Sequence, residues 1–271
     1  MKNYILIALS ILAIFTLSIK SQSGQKSLSE EVISKGEIRI GYILYPPLLD
    51  KNPSTGELSG ASYEIVEAAA RRLGLKTKWT EEVAWGSAIE GLKTNRYDIL
   101  GTQMWPNAAR AREAVFSLAP FNSNIYAYGR AGDARFDEGL KDLNSPDFTI
   151  STLDGEMGQF IASQNYPNAK VNALPQYASY AEVFLNVVNN KADLAFVEPS
   201  TANDFLQSNP GSIVRISTNP LRTFGNSFAF KRGEESMVSM WNVALEELLN
   251  DGTIQKILED QGISEDYILN K

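Results

Sequence analysis

The sequence predicts an α/β fold made of two lobes with a cleft between them. Segments with strand periodicity alternate with segments of helical periodicity, which is typical of parallel sheets covered by helices. A polar stretch at residues 131–145 separates two such β/α blocks. With 44% hydrophobic and 21% charged residues, the chain has the composition of a folded globule rather than of a disordered or low-complexity protein.

The first block begins with a short helical stretch at residues 29–35 and a strand at residues 37–43, in which Ile38, Ile40 and Tyr42 alternate. A turn-rich loop follows at residues 50–60. One helix face then comprises Ile65, Ala68, Ala69 and Leu73. Gly74 ends this helix. A strand at residues 75–80, a helix at residues 87–94 and a strand at residues 97–101 complete the block.

The second block repeats this alternation, with a strand at residues 148–152 and a helix at residues 157–164. The next helix has apolar residues at i, i+3, i+4, i+7 and i+8, which are Tyr180, Val183, Phe184, Val187 and Val188. A buried strand at residues 193–197 precedes a helix that begins at Pro199. A long helix with an apolar face over residues 237–248 follows near the end of the chain.

Residues 1–23 are typical of a secretory signal peptide. Lys2 precedes an apolar run at residues 4–19, and the small residues Ser21 and Ser23 follow it. The run is slightly short for a membrane-spanning helix, but an uncleaved anchor is the alternative. In both cases we expect the folded body to be periplasmic or otherwise extracytoplasmic.

The composition excludes several classes of site. The chain has no histidine and no cysteine, so Ser-His-Asp and Cys-His catalytic sites, disulfides and zinc sites of imidazole or thiolate are impossible. The formal net charge is −7, and it becomes −9 without residues 1–23. Such an acidic body repels phosphate backbones, so we expect no nucleic-acid partner, and no motif predicts a metal or cofactor site. Because open α/β sheets bind ligands at the carboxyl ends of their strands, the cleft is the expected ligand site.

A series of motifs resembles the family 3 extracellular solute-binding proteins, the amino-acid-binding subunits of ABC importers. In chain order they lie at residues 36–41, 45–47, 56–60, 72–74, 85–92, 95–98, 110–121, 191–196 and 250–254. Each motif is weak alone, but their order and spacing together are specific. The resemblance extends over nearly the whole chain, from Gly36 to Gly262.

This resemblance implies a type II periplasmic-binding-protein-like fold, in which each lobe is a mostly parallel sheet flanked by helices and two hinge crossings join the lobes. Lobe 1 would contain residues 36–124 and 224–271, and lobe 2 residues 128–218, with hinges near residues 124–127 and 217–223. The resemblance also implies a monomer that closes on a small polar ligand, an amino acid or related amine. The closed form would deliver the ligand to the membrane subunits of an ABC importer.

Arg110 and Glu198 are the main ligand-binding residues that the resemblance implies. Arg110 would bind the ligand carboxylate, to which its planar guanidinium is suited, although a surface ion pair is the alternative. Glu198 follows a buried strand and would neutralise the ligand's amino group. The alternative is that Glu198 is an acidic residue at the start of the helix that begins at Pro199, where its charge interacts favourably with the helix dipole.

Aromatic residues are the second group of candidates. Tyr45 and Trp85 match the pair that sandwiches the ligand side chain in the family, although both could equally belong to the core. Weaker candidates of the same kind are Trp105, Phe121 and Tyr42. Gln103 and Trp105 fall where family members offer small hydroxyl residues and backbone groups to the ligand.

The sequence departs from the family pattern at three places. Residues 155–158, which include Glu156 and Met157, replace a Gly-Thr-Thr helix start, Asn107 replaces a threonine, and residues 60–64 replace an aspartate-rich segment. Backbone N–H groups at the helix start could still bind a carboxylate, but Glu156 in the cleft would favour a cationic group. Glu156 could instead be a solvated helix-start acid. An ordinary α-amino acid, a basic amino acid and an amine therefore remain open as ligands.

Three functions are compatible with these features. The first is a binding protein without catalytic activity. The second is a dehydratase-like enzyme on the same fold, with Glu198 or Glu156 as general acid or base. The third is a membrane-tethered sensor module.

Overall fold

The computed structural model describes residues 26–270. The predicted signal segment, residues 1–23, lies outside the described residues. Within the described part of the chain, every helix is too short or too polar to cross a bilayer.

The first β/α block contains nine elements. They are α1 (Leu28–Lys35), β1 (Glu37–Tyr42), β2 (Asp50–Lys51), β3 (Leu58–Ser59), α2 (Ala61–Arg72), β4 (Lys76–Glu82), α3 (Ala88–Lys93), β5 (Ile99–Met104) and β6 (Ala114–Phe116). The strands and helices expected from periodicity are present with small differences in their bounds. The short strands β2, β3 and β6 were not predicted.

The second block begins with a long strand and contains eight elements. They are β7 (Phe121–Arg130), β8 (Thr149–Leu153), α4 (Met157–Asn165), β9 (Lys170–Leu174), α5 (Tyr180–Val188), β10 (Leu194–Val197), α6 (Pro199–Ser208) and β11 (Ile213–Arg215). The chain then continues through β12 (Arg222–Lys231), α7 (Glu235–Asn250), α8 (Thr253–Asp260) and β13 (Tyr267–Leu269).

Helix starts in both blocks are fixed by local sequence. Ser27 and Ser179 form capping boxes: each hydroxyl accepts a hydrogen bond from the backbone N–H of a glutamate three residues later, and that glutamate accepts one from the serine N–H. Ser179 therefore sets the first turn of α5, where Tyr180 lies.

A continuous sheet of eleven strands joins the two blocks within residues 26–270, with a main order of β4-β1-β5-β12-β7-β10-β8-β9. β1 is parallel to β4 and β5, and β8 is parallel to β9 and β10. The long central strands β7 and β12 are antiparallel to each other and to their neighbours β10 and β5. Each block is therefore a parallel three-stranded sheet extended by one end of these strands.

The hydrophobic cores follow the same division. One cluster is centred on α2, α7, β1 and β5 and contains the fully buried Trp241. Two further clusters lie around α4, α5 and β10, and Phe184 is fully buried in one of them. β7 contributes Phe121 to the first cluster and Ile125 to the second, so this strand connects the two cores.

Candidate functional site

Six of the predicted site residues follow the carboxyl ends of strands from both blocks. Tyr45 follows β1, Trp85 follows β4, and Trp105 and Arg110 follow β5. In the second block, Glu156 follows β8 and Glu198 follows β10. Carboxyl ends of parallel strands meet at one edge of a sheet, and this edge is where open α/β sheets bind ligands.

Glu198 is fully buried at the end of β10. Its Oε2 accepts hydrogen bonds from the Tyr45 hydroxyl at 3.0 Å and the Tyr267 hydroxyl at 3.1 Å. Glu198 is the N-cap residue of α6, but its side chain makes no capping hydrogen bond. Its carboxylate is therefore directed to the phenols rather than to the helix backbone, which argues against a purely helix-capping role.

The second oxygen of Glu198, Oε1, is buried without a hydrogen-bond partner among the described residues. Burial raises the pKa of Glu198 to about 7, and the charge of Glu156 acts in the same direction. The nearby hydroxyls of Ser123, Tyr45 and Tyr267 oppose this rise because they favour the ionised form. A cation bonded to Oε1 would stabilise the carboxylate further.

Tyr45, Trp85 and Tyr180 form an aromatic cluster beside Glu198. The Tyr45 ring meets Trp85 edge to face at 5.6 Å between centroids and Tyr180 at 5.2 Å. Trp85 and Tyr180 come from different blocks of the chain, so the cluster bridges them. Such a surface can hold an apolar chain or attract a cation over a ring face.

Glu156 is the N-cap residue of α4, and its Oε2 accepts a hydrogen bond of 2.6 Å from the Gly158 N–H. It therefore caps a helix, as one hypothesis states, but it is buried rather than solvated. Burial raises the pKa of Glu156, whereas the backbone N–H groups and Arg110 favour its ionised form. Its own carboxylate thus occupies part of the helix N-terminus where a ligand carboxylate could bind.

Arg110 begins a short 3₁₀ helix, Arg110–Arg112, whose first turn is held by Asn107: the Asn107 Oδ1 accepts from the Arg110 N–H at 2.9 Å. The guanidinium donates to the Trp105 carbonyl at 2.9 Å and to the Gly155 carbonyl at 3.4 Å. Burial lowers the pKa of Arg110, and the charge of Glu156 opposes this. Since a guanidinium has five N–H donors, Arg110 retains donors for a ligand.

Gln103 lies buried on β5, where its Oε1 accepts a hydrogen bond from Ser62. Its Nε2 has no partner among the described residues. Four buried side-chain atoms of the described chain lack partners, and three belong to this region: Gln103 Nε2, Tyr180 hydroxyl and Glu198 Oε1. Buried polar groups are almost always hydrogen-bonded, so a polar ligand or ordered water would satisfy these atoms.

The other predicted residues make mainly structural contacts. Trp105 donates to Asn226 Oδ1 at 2.9 Å and stacks on Phe224 at 5.1 Å. Met157 is buried in the core under α4 and also borders a cavity of about 360 Å³ next to Arg110 and Glu156. Phe121 is fully buried against Tyr267, and Tyr42 packs edge to face on Trp79.

Two residues of the site were not identified from the sequence. Tyr180 was recognised only as part of an apolar helix face, and Tyr267, which bonds Glu198 from the last strand, was not singled out. No local pattern distinguishes either tyrosine, because both reach the site through tertiary packing.

The sequence matches a known protein family and curated members of it. The family model for bacterial extracellular solute-binding proteins, family 3, matches residues 38–261. The L-cystine-binding protein TcyA of Bacillus subtilis is 23% identical over 242 residues, which are 88% of this chain and 85% of that protein.

Solved structures show the same fold. An ancestral amino acid-binding protein, described as a precursor of cyclohexadienyl dehydratase, has a TM-score of 0.76 at 23% identity, covering 87% of this chain and 99% of that one. A binding component of an ABC transporter from Wolinella succinogenes, complexed with lysine, has a TM-score of 0.74 at 24% identity, covering 83% and 95%. The predicted two-lobed type II periplasmic fold is thereby confirmed.

The motif order, the fold and the family model all lead to one assignment. The chain belongs to the bacterial extracellular solute-binding proteins, family 3.

Proposed function

We propose that this protein captures one small ligand, an amino acid or related amine, between its lobes outside the cytoplasm and delivers it unchanged to an ABC importer. The named relatives support transport: one is an L-cystine-binding protein and another is an ABC transporter component complexed with lysine. In this proposal residues 1–23 direct export, and the protein acts as a monomer.

The observation that carries the proposal is the unpartnered Oε1 of Glu198. A fully buried carboxylate oxygen without a partner has a large desolvation cost, which a ligand ammonium at that position would offset. Arg110 contacts Gly155 beside the N-terminus of α4, and in this proposal both bind the ligand's carboxylate or another acceptor. Tyr45 and Trp85 would flank the ligand's apolar part.

Closure would depend on the two long central strands. We place the hinges near residues 124–127, which lie within β7, and near residues 217–223, which lead into β12. Residues 36–124 and 224–271 would move as lobe 1 and residues 128–218 as lobe 2. Arg110 and Glu198 then belong to opposite lobes, so a ligand that contacts both favours the closed form.

Thermal unfolding with a panel of amino acids and amines tests the proposal. A ligand at a hundred times its Kd adds about 2.7 kcal/mol of stability, which is about 5–10 °C in Tm for a protein of this size. We expect at least one compound to produce this shift and to be recovered unchanged. Arg110→Ala should abolish the shift.

The matched control is Arg112→Ala, because Arg112 lies on the same 3₁₀ helix but is exposed. This variant should keep the full shift. If no compound in the panel stabilises the protein, or if both variants respond alike, the proposed function is wrong.

A second candidate function is a dehydratase-like activity. The observation in its favour is the pKa of Glu198 near 7, which suits a general acid or base. One structural neighbour is described as a precursor of a dehydratase. Mass spectrometry of the recovered ligand separates the two functions, because a binding protein returns the compound intact and an enzyme returns a dehydrated product.

A further inference from the structure

The final strand of the described chain, β13, brings Tyr267 to the carboxyl end of β10. β13 is antiparallel to β7, and Tyr267 lies opposite Ser123 in this pairing. The Tyr267 ring is buried and packs edge to face on Phe121 at 4.9 Å between centroids. Beyond β13, the Asn270 side chain donates to the Ala119 carbonyl at 2.7 Å. Backbone pairing, ring packing and this hydrogen bond together fix the position of the Tyr267 phenol.

The Tyr267 hydroxyl forms two hydrogen bonds, one to Glu198 Oε2 at 3.1 Å and one with Ser200 Oγ at 2.8 Å. An ionised carboxylate can only accept hydrogen bonds, and a phenol has one proton to donate. The Tyr267 proton is therefore directed to Glu198, and the Ser200 hydroxyl donates to the Tyr267 oxygen. Ser200 thus orients the phenol that orients the carboxylate.

Tyr45 makes an equivalent pair of contacts with the same segment of the chain. Its hydroxyl donates to Glu198 Oε2 at 3.0 Å and accepts from Thr201 Oγ1 at 3.4 Å. Each oxygen of a carboxylate has about two lone-pair sites, so two phenol donors saturate Oε2. The Glu198 oxygen Oε1 has no partner among residues 26–270. A further donor, such as a ligand ammonium, must therefore bind Oε1.

The two phenols and the carboxylate come from opposite sides of the proposed lobe division. Tyr45 and Tyr267 lie in the segments assigned to lobe 1, residues 36–124 and 224–271, and Glu198 lies in lobe 2. The acid that would bind the ligand is therefore oriented by the opposite lobe. A side chain that is held in place before binding loses less conformational entropy when the ligand binds.

We propose that Tyr267 is a positioning residue of the ligand site: it holds Glu198 through Oε2 and thereby leaves Oε1 as the acceptor for the ligand's ammonium group. It acts through Glu198 and does not itself contact the ligand. This inference rests on the proposed function, because Glu198 must be the residue that binds the ammonium. It gives the C-terminal strand β13 a part in ligand binding as well as in the packing of lobe 1.

The protonation of Glu198 reports whether this contact is present. Burial raises the pKa of Glu198, and the hydrogen bond from Tyr267 opposes this rise because it favours the ionised form. Loss of the phenol hydroxyl should therefore raise the pKa of Glu198 further. The hydroxyl of Ser123 also favours the ionised form. Other ionisable groups near Glu198, which a substitution of Tyr267 leaves in place, are Tyr45, Glu156 and Tyr180.

Carbon-13 NMR of the protein labelled at its glutamate carboxyl carbons tests the contact in the absence of any ligand. The Glu198 signal is assigned by its loss in Glu198→Gln and is followed across the pH range in which it titrates. Tyr267→Phe keeps the ring that packs on Phe121 and removes only the hydroxyl. We expect its Glu198 midpoint to rise by about one pH unit or more, as for the loss of a hydrogen bond to a charged group.

The matched control is Tyr97→Phe, which removes another buried phenol hydroxyl, one that donates to the Ala88 carbonyl in the first block. This variant should leave the Glu198 midpoint unchanged. A purely structural role for Tyr267 would also leave the midpoint unchanged in Tyr267→Phe. An equal midpoint in Tyr267→Phe and wild type would therefore overturn the inference.

Isothermal titration calorimetry near that midpoint adds the functional readout. The probes are L-lysine, L-cystine and every other compound that stabilises the protein in the thermal panel. Tyr267→Phe should weaken their binding about fivefold or more, and Tyr97→Phe should keep it within about twofold of wild type. If Tyr267→Phe binds these probes as tightly as wild type, the inference is overturned and the proposed function stands. If the midpoint rises but no amino acid or amine binds, the proposed function fails and the orientation of Glu198 by Tyr267 stands.

Discussion

The substitution Glu198→Gln should make the ligand-free protein more stable at pH 8 while removing ligand binding. Glutamine keeps the shape of the side chain and an oxygen that can accept hydrogen bonds from Tyr45 and Tyr267. Glutamine carries no charge, so its burial has no charge-desolvation cost. It also has no carboxylate that could neutralise a ligand ammonium. The variant therefore separates the destabilisation that the buried charge causes in the ligand-free protein from the contribution of that charge to ligand binding.

The size of the effect follows from the pKa of Glu198, which burial raises from 4.5 to about 7. Below pH 4.5 the group is protonated in both the folded and the unfolded chain, so it leaves stability unchanged. Between pH 4.5 and 7 the folded protein retains a proton that the unfolded chain has released, and the free energy of unfolding falls as pH rises. At about 1.4 kcal/mol per pKa unit, the loss above pH 7 is about 3 kcal/mol.

Urea unfolding at pH 4, 5, 6, 7 and 8 measures this difference. Glu198→Gln should match the wild type at pH 4 and exceed its free energy of unfolding by about 3 kcal/mol at pH 8. Glu156 also has a raised pKa, but it is present in both proteins, so only its electrostatic interaction with Glu198 contributes to the difference. Glu246→Gln, at an exposed position, is the control and should follow the wild type throughout. A constant difference between Glu198→Gln and wild type at all pH values would refute the reasoning.

Three further changes test other parts of the account. Tyr45→Phe removes one of two hydrogen bonds to the Glu198 carboxylate, and calorimetry should show about 5- to 30-fold weaker binding of any stabilising amine. Trp241→Ala empties a fully buried position, and urea unfolding should show a loss of about 3–5 kcal/mol, with an intact ligand site as judged by binding below the unfolding transition. Ser179→Ala removes the capping hydroxyl of α5 and should cost about 1 kcal/mol in the same assay; no change would contradict the capping assignment.

The sequence predicted the residues that follow strands most reliably. Glu198 and Arg110 were assigned from motif position, and Glu198 indeed lies at the carboxyl end of β10. The end of a buried strand can be predicted because its apolar run stops at a polar residue. Residues 194–197 are such a run, and Glu198 follows them. The acidic character of the site also follows from the sequence, provided that the segments with Glu156, Glu198 and Arg110 share one cleft.

Other features depend on tertiary packing and left no local signal. β7 and β12 are long strands that connect two cores. The buried positions of β7 alternate over residues 121–127, but they include the polar Ser123, which weakens the apolar pattern in the sequence. Tyr180 lies on a helix face that reads as core, yet its ring packs against Tyr45 from the other block. Trp105, a predicted ligand contact, also donates to Asn226 and stacks on Phe224, and both contacts depend on the position of β12 in the sheet.

A crystal structure of the protein with the amino acid or amine that raises its Tm most is the most direct test of the central claim. We predict a ligand ammonium within about 3.2 Å of Glu198 Oε1, a distance typical of N–H···O hydrogen bonds, with Arg110 in contact with the same molecule. A ligand bound elsewhere, with Glu198 Oε1 still without a partner, would contradict the claim.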